Sequence, residues 1–188
     1  MTKKYELLKD DTKDYFGRTL YRIKALISFG EVVAGELGGY IEAEKNLDQS
    51  GNAWVFGDAR VSGNAWVSGD AEVYGNAEVY GNAWVYGNAR VSGYAEVYGN
   101  AWVRSCAIIS ERKMIFWASN VGSENGTLTV FNGKDGLIVT RGCFTGSVDE
   151  FLAKSAEVHD EKTKREYQLL IEVAKSRILS EEKSCQMK

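Results

Sequence analysis

The sequence contains no proline, a single histidine and three cysteines in 188 residues. The cysteines are scattered and odd in number, which excludes a disulfide framework and indicates free or buried thiols in a reducing compartment: Cys106, Cys143 and Cys185. There is no long apolar run, and the first 30 residues alternate charged and apolar residues. We therefore expect a cytoplasmic protein without a signal peptide or membrane span. The sequence offers no physical reason for the missing proline.

An excess of charge of one sign is also lacking. The 23 Lys and Arg residues stand against 26 Asp and Glu, for a net charge of −3. Between residues 51 and 104 the only basic residues are Arg60, Arg90 and Arg104. A phosphate-binding track is therefore missing, and we expect no direct binding to nucleic acid.

What the sequence does contain is a strict six-residue repeat. Residues 51–104 divide into nine hexads: GNAWVF, GDARVS, GNAWVS, GDAEVY, GNAEVY, GNAWVY, GNARVS, GYAEVY and GNAWVR. Ala and Val are two apart, so on an extended segment they point to the same side, and the residues between and after them point to the other. Gly-Asn or Gly-Asp then suits a corner that needs unusual backbone angles.

A short strand and a corner in every hexad describe a three-sided prism. Three hexads close one coil of 18 residues, and coils stack about 4.8 Å apart. We predict a mainly β protein: a left-handed parallel β-helix of three coils over residues 51–110. Residues 1–50 form an N-terminal β-rich cap, because the open end of a β-helix has unpaired backbone groups. Residues 111–188 form a C-terminal α+β module.

The 18-residue period places outward side chains in columns. Trp66, Trp84 and Trp102 share one face. An exposed aromatic patch of this kind marks contact surfaces. Three interpretations stay open: a subunit interface, a ladder of rings stacked on one another and on the flanking segments, or a surface for a ligand or foreign protein.

The other two faces carry charged columns. Trp54 begins the second face, which also places Glu72 next to Arg90 as a favourable pair. The third places Glu78 next to Glu96, which is unfavourable unless a cation or a partner intervenes.

After the repeat breaks at SCAIIS, the segments KMIFWA, TLTVFN and LIVTRG predict three strands, with a tight turn at NGKDG. Ser147 and Glu150 form a capping box that opens a helix. KREYQLLIEVAKSRIL predicts a second helix, and the last eight or so residues are polar and expected to fray.

The leader FGRTLYRIKAL…FGEVVAGELGGYIEAEKNLDQSGNAWV is similar to the opening of a family of phage and prophage proteins labelled hexapeptide-repeat or transferase-like. The tail GSENGTLTVFNGKDGLIVTRGCFTGSVDEFLAKSAEVH resembles the closing module of that family, including Gly142, Cys143, Phe144, Gly146, Phe151 and His159. The resemblance covers nearly the whole chain. It implies a phage or prophage origin and expression in the host cytoplasm, and the architecture implies a homotrimer. It implies little about activity, because the labels depend mostly on the repeat.

Catalytic chemistry is poorly represented. Hexapeptide-repeat acyltransferases usually use a histidine at a subunit boundary as general base, whereas His159 lies outside the repeat at the end of a predicted helix. That position favours a capping or core role. The sequence has no cluster with metal-ligand spacing and no phosphate loop. We expect no catalytic residue, metal or cofactor.

Three functions are compatible with these features. The favoured one is a non-enzymatic binding or inhibitory protein, which counters host defence by binding a host defence protein or by sequestering a small nucleotide signal. The second is a structural or assembly scaffold, and the third is an acyl- or nucleotidyltransferase. A nucleotide requires aromatic stacking beside Arg or Lys. The residues expected to supply ligand or partner contacts are Trp66, Trp84, Tyr86, Trp102, Arg104, Arg112 and Lys113.

Overall fold

A computed structural model describes residues 3–179, so the expected fraying of the last eight residues lies outside the described range. The chain forms about four turns of a parallel β-solenoid. A long antiparallel hairpin precedes the solenoid, and a four-stranded antiparallel sheet with two helices follows it. The predicted mainly β fold with stacked parallel coils is confirmed.

The strands and helices follow one another in chain order. The leader contains β1 (Tyr5–Tyr15), β2 (Arg18–Ala25) and β3 (Leu37–Ile41). The solenoid adds β4 (Trp54–Val55), β5 (Arg60–Val61), β6 (Trp66–Val67), β7 (Glu72–Val73), β8 (Glu78–Val79), β9 (Trp84–Val85), β10 (Arg90–Val91), β11 (Glu96–Val97), β12 (Trp102–Val103) and β13 (Ile108–Ile109). The C-terminal module contains β14 (Ile115–Val121), β15 (Gly126–Gly133), β16 (Gly136–Arg141), β17 (Phe144–Ser147), α1 (Val148–Val158) and α2 (Glu161–Ile178). Short 3₁₀ helices flank the coils at Glu44–Asn46 and Arg112–Met114.

The solenoid strands stack in three columns: β3-β5-β8-β11, β4-β7-β10-β13 and β6-β9-β12. Leu47 pairs with Val67 and adds a further step to the third column. The Ala and Val residues of the hexads are fully buried and form the core. Because β3 and Leu47 join the stack before the first hexad, and β13 joins it after the repeat breaks, the stack reaches about four turns where the hexads alone predict three.

The corners explain the Gly-Asn pairs of the repeat. Gly63 and Gly81 have φ values of 70° and 74°, which favour glycine. A Cβ atom on Gly63 would also lie 3.1 Å from the Gly81 carbonyl oxygen of the next coil. The asparagine side chains form a ladder, in which Asn64 donates to Asn82 at 3.2 Å and Asn82 to Asn100 at 3.1 Å. Each corner therefore supports the one stacked on it.

A buried lysine closes the N-terminal end of the stack. Within the solenoid the N–H of Trp54 donates to the Ala71 carbonyl of the next coil, so the equivalent carbonyl of Ala53 points out of the end. Lys4 Nζ donates to the oxygens of Ala53 at 3.0 Å and Ser50 at 3.2 Å. Lys4 is only 2% exposed, and burial lowers its pKa to about 8. The lysine replaces the backbone donors of a missing coil.

Trp54 lies on the second face in register with Glu72, as the hexads predict, but it is fully buried, which the sequence does not predict. The rings of Tyr5 and Phe29 meet it edge-on, at centroid distances of 6.0 Å and 5.3 Å. The leader covers this part of the second face, which makes the first outward tryptophan part of the core.

Polar side chains of the C-terminal sheet close the other end. The N–H of Trp102 donates to Thr129 Oγ1 at 3.1 Å, and the Thr140 hydroxyl donates to the Trp102 carbonyl at 2.7 Å. Ile115 and Phe131 pack against the core of the coils. The sheet therefore provides both the hydrogen bonds and the apolar contacts of an additional coil.

The rest of the C-terminal module largely follows its sequence signals. The three predicted strands and the turn at NGKDG are confirmed, whereas β17 was not predicted. The capping box is also confirmed, because Ser147 Oγ accepts from the Glu150 N–H at 3.2 Å and Glu150 Oε2 accepts from the Ser147 N–H at 2.7 Å. The second predicted helix is α2, whose Tyr167 and Ile171 pack with Phe151 of α1 against the sheet.

We expect the substitution Lys4→Met to lower the free energy of unfolding by about 1–3 kcal/mol, because it leaves buried carbonyl groups without donors. Lys9→Met is the matched control, since Lys9 is an exposed residue of β1, the strand that begins directly after Lys4, and it should change stability by less than about 0.5 kcal/mol. Urea denaturation followed by tryptophan fluorescence measures both variants. Equal stability of the two would contradict the capping role of Lys4.

Candidate functional site

The tip of the β1–β2 hairpin folds over the face formed by β3, β5, β8 and β11. The Tyr15 hydroxyl donates to Glu78 Oε2, and the Arg60 guanidinium lies 4.9 Å from the centre of the Tyr15 ring. Phe16 and Gly17 have φ values of 49° and 74°, which produce a tight turn beyond Tyr15. The turn leaves the Phe16 side chain over the solenoid but 89% exposed.

A cavity of about 470 Å³ lies between the hairpin tip and the solenoid, and we call it the hairpin groove. Its walls come from the hairpin, from two solenoid corners and from the segment after the last coil: Tyr15, Phe16, Arg18, Ser62, Gly63, Glu78, Tyr80, Gly81, Glu96 and Arg112. Ligand sites in proteins usually occupy about 300–1,000 Å³. The hairpin groove is therefore large enough for a small organic molecule.

The acidic side chains beside the groove are paired with cations. Arg60 Nη1 lies 2.9 Å from Glu78 Oε1, and Arg112 forms an ion pair with Glu96. Each of the two neighbouring glutamates therefore has a cationic partner of its own. The groove consequently carries charges of both signs rather than an acidic patch.

Tyrosine rings form the aromatic wall of the groove. Tyr80 stacks on Tyr98 with a centroid distance of 4.9 Å and an angle of 1° between the planes. Burial raises the pKa of Tyr80 to about 12, assisted by Glu96 and Tyr98. Burial also raises the pKa of Tyr15 to about 12, assisted by its hydrogen bond to Glu78. Both hydroxyls therefore stay protonated around neutral pH.

Arg18 is held at the rim by Glu42. Its Nη1 atom lies 2.8 Å and 3.1 Å from the two Glu42 oxygens, and Glu42 also accepts from the Gly63 N–H at 2.6 Å. Burial opposes ionisation of Glu42, but these hydrogen bonds outweigh it and lower the pKa of the carboxyl group. The ion pair fixes the base of the hairpin tip to the corner at Gly63.

The predicted tryptophan column forms a second candidate surface. Trp84 stacks on Trp102, with a centroid distance of 5.1 Å and an interplanar angle of 4°, and meets Trp66 edge-on at 5.4 Å. We call these three residues the tryptophan ladder. Trp84 remains 39% exposed. The three rings therefore pack against one another, and part of the aromatic surface of Trp84, at the centre of the ladder, remains exposed.

Arg104 connects the ladder face to the C-terminal sheet. Its guanidinium carbon lies 5.8 Å from the centre of the Tyr86 ring, and its Nη2 donates to the carbonyls of Phe144 at 2.6 Å and Cys143 at 3.1 Å. These contacts explain the arginine structurally, as a link between the last hexad and β17.

The structure separates the other two predicted cations from the tryptophan ladder. Arg112 pairs with Glu96 and lines the hairpin groove. Lys113 lies beside Glu111, with 3.4 Å between Nζ and Oε2. The seven predicted residues are therefore divided among the ladder face, the hairpin groove and the segment that follows β13.

Sequence reasoning missed the hairpin's contribution to the groove. Tyr15 and Arg18 flank the Phe16-Gly17 pair between two alternating segments, and such a pair is a turn signal. That signal could have located the hairpin tip. It could not have shown that the tip folds over β8, because the landing point depends on the twist and length of both strands.

The histidine and the described cysteines do not belong to either candidate surface. His159 caps α1, where its N–H donates to the Ser155 carbonyl at 3.1 Å, and its ring lies edge-on to Tyr167. Cys106 and Cys143 are free and exposed, whereas Cys185 lies outside the described range. Within residues 3–179, no group of three or more His, Cys, Asp and Glu side chains could hold a metal ion. No helix in that range is long and apolar enough to cross a membrane.

The raised tyrosine pKa values predict a loss of stability at high pH. A folded pKa of about 12 for Tyr15 and Tyr80, against about 10 in the unfolded chain, contributes stability that is complete below pH 10 and is lost as the pH rises towards 12. We expect Tyr80→Phe to make this loss smaller in urea denaturation between pH 9 and 11.5. Tyr94→Phe, an exposed tyrosine outside the groove, is the control. An unchanged slope in Tyr80→Phe would contradict the prediction.

Comparison with known proteins supports the repeat architecture. The family model of the YdcK beta-solenoid repeat matches residues 53–69, 71–87 and 83–99. A search of curated proteins found no match. The three matched ranges lie within the hexads, and the structure forms parallel coils over the same residues. The chain is therefore a repeat β-solenoid protein.

Proposed function

We propose that the protein is a non-enzymatic binding protein that sequesters a small ligand in the hairpin groove. The observation that carries this proposal is a cavity of about 470 Å³ with aromatic walls and arginines at its rim. The pairing of Glu78 with Arg60 and Tyr15, and of Glu96 with Arg112, supports binding rather than proton transfer. Carboxylates held in this way act mainly as structural partners.

The biological setting follows from the resemblance of the leader and the tail to phage and prophage proteins. In this proposal the protein is phage-encoded, winds left-handed as hexapeptide-repeat proteins do, and acts in the host cytoplasm. Sequestering a small host signal would then counter host defence. The transferase alternative is less favoured, because the only histidine caps α1 outside the repeat.

A second function is favoured by the tryptophan ladder. Trp84 is 39% exposed at its centre, and aromatic residues in such positions dominate the energy of protein contacts. In this alternative the ladder joins three copies into a homotrimeric scaffold. Binding of a host defence protein to the same face is the competing outcome.

The binding proposal predicts a bound molecule. We expect native mass spectrometry of the protein, purified gently from the cells that produce it, to show an additional small mass on the wild-type chain. Phe16→Ala should lose that mass, because the substitution removes one wall of the groove without disturbing the core. Tyr94→Ala, another exposed aromatic residue, should keep it. A wild-type protein without any added mass would contradict the proposal.

The scaffold alternative predicts a different result. If the ladder is a subunit interface, the wild-type protein should be a trimer by light scattering, and Trp84→Ser should dissociate it at micromolar concentration. Tyr94→Ser should remain trimeric. A monomeric wild-type protein, or a trimer that persists in Trp84→Ser, would exclude the ladder as the trimer interface.

A further inference from the structure

Resting on the binding function above, we propose that the hairpin groove takes a phosphorylated planar heteroaromatic molecule of mononucleotide size. The ring would lie against Phe16 and Tyr80, and the phosphate would bind Arg18 and Arg112. Four features of the groove support this assignment.

The first feature is a pair of aromatic side chains on the two sides of the groove. Phe16 exposes 89% of its surface, and its ring meets that of Tyr15 edge-on at a centroid distance of 4.7 Å, so most of the ring remains open to a ligand. Tyr80 is held in orientation by stacking on Tyr98. Aromatic side chains stack on nucleobases regardless of base identity, because every base has a π-face.

The second feature is a pair of arginines with donors left over. The side chains of Arg18 and Arg112 are 50% and 71% exposed although each has a carboxylate partner. A guanidinium group has five N–H donors; Arg18 donates to both Glu42 oxygens through Nη1, and Arg112 contacts Glu96 through Nη2. Arginine binds phosphate through paired donors. A phosphate could therefore bind without first breaking either ion pair.

The third feature is the chemistry of the groove between these ends. Tyr80 contributes a protonated hydroxyl, and Ser62 contributes a second one. Such groups hydrogen-bond to the edge of a heteroaromatic ring. Gly63 and Gly81 form the adjacent corners, and without side chains they let a ring approach the backbone.

The fourth feature is size. About 470 Å³ suits a single nucleotide, whereas a nucleic-acid strand would require a basic track, which the solenoid lacks. The groove lining also balances two arginines with two glutamates: Arg18, Arg112, Glu78 and Glu96. A groove of this kind is expected to select a small anion with a ring rather than any polyanion.

Isothermal titration calorimetry on the full chain tests the assignment with AMP, GMP, adenosine and inorganic phosphate as probes. We expect AMP or GMP to bind at least about 10-fold more tightly than adenosine or phosphate alone. Phe16→Ala should weaken nucleotide binding by about 10-fold or more, since stacking is lost. Arg112→Gln should weaken nucleotide binding by a similar factor of about 10 and leave adenosine binding unchanged.

Matched controls separate the groove from general surface effects. Arg90→Gln removes an exposed arginine that is paired with Glu72 at 3.1 Å on another face, and Tyr94→Ala removes an exposed aromatic ring. Both should bind nucleotide as the wild type does. Equal weakening in the controls, or no weakening in Phe16→Ala and Arg112→Gln, would overturn the assignment.

The outcomes also distinguish this inference from the proposed function. If AMP and GMP fail to bind, but the purified protein carries a small mass that Phe16→Ala loses, the ligand class is wrong and the binding function stands. If neither nucleotide binds and no added mass is found, both proposals are wrong.

Discussion

The backbone hydrogen bonds between successive coils are the constraint on which the structure depends. Each N–H directed along the stack finds a carbonyl one coil away, as when Trp66 donates to Ala83 and Trp84 to Ala101. This pairing requires every coil to have the same length, so the Val and Ala residues must return at a fixed interval and each corner must turn within a few atoms. Glycine at the corners is the residue that permits it. The regular sequence follows from the regular hydrogen bonding.

The same constraint creates a problem at each end, and the two ends solve it differently. Lys4 supplies donors to carbonyls at the first end, and the hydroxyls of Thr129 and Thr140 serve the last coil. Apolar side chains accompany both solutions, with Tyr5 and Phe29 around Trp54 and Phe131 on the opposite core. An uncovered end of a β-solenoid presents unpaired backbone N–H and C=O groups that can pair with another chain. The leader and the C-terminal sheet are therefore part of the fold's stability.

The hexads predicted the columns of the solenoid well, because a residue and its neighbour 18 positions later must share an environment. The stacking of Trp84 on Trp102 and the pairing of Glu72 with Arg90 follow from that spacing alone. The burial of Trp54 could not be predicted, because it depends on where the leader residues Tyr5 and Phe29 pack. The hairpin groove was missed for the same reason. Its walls come from positions as far apart as Phe16 and Arg112, and no local pattern links them.

The number of coils also sets the distance between the hairpin that precedes the repeat and the segment that follows it. Phe16 belongs to the hairpin before the first hexad and Arg112 to the segment after the last one, yet both line one cavity. An added coil would lengthen the stack by about 4.8 Å and move these two walls apart. A removed coil would bring the hairpin tip and the C-terminal sheet towards collision. In most repeat proteins each unit contacts only its neighbours, but in this chain the number of repeats is tied to the shape of the groove.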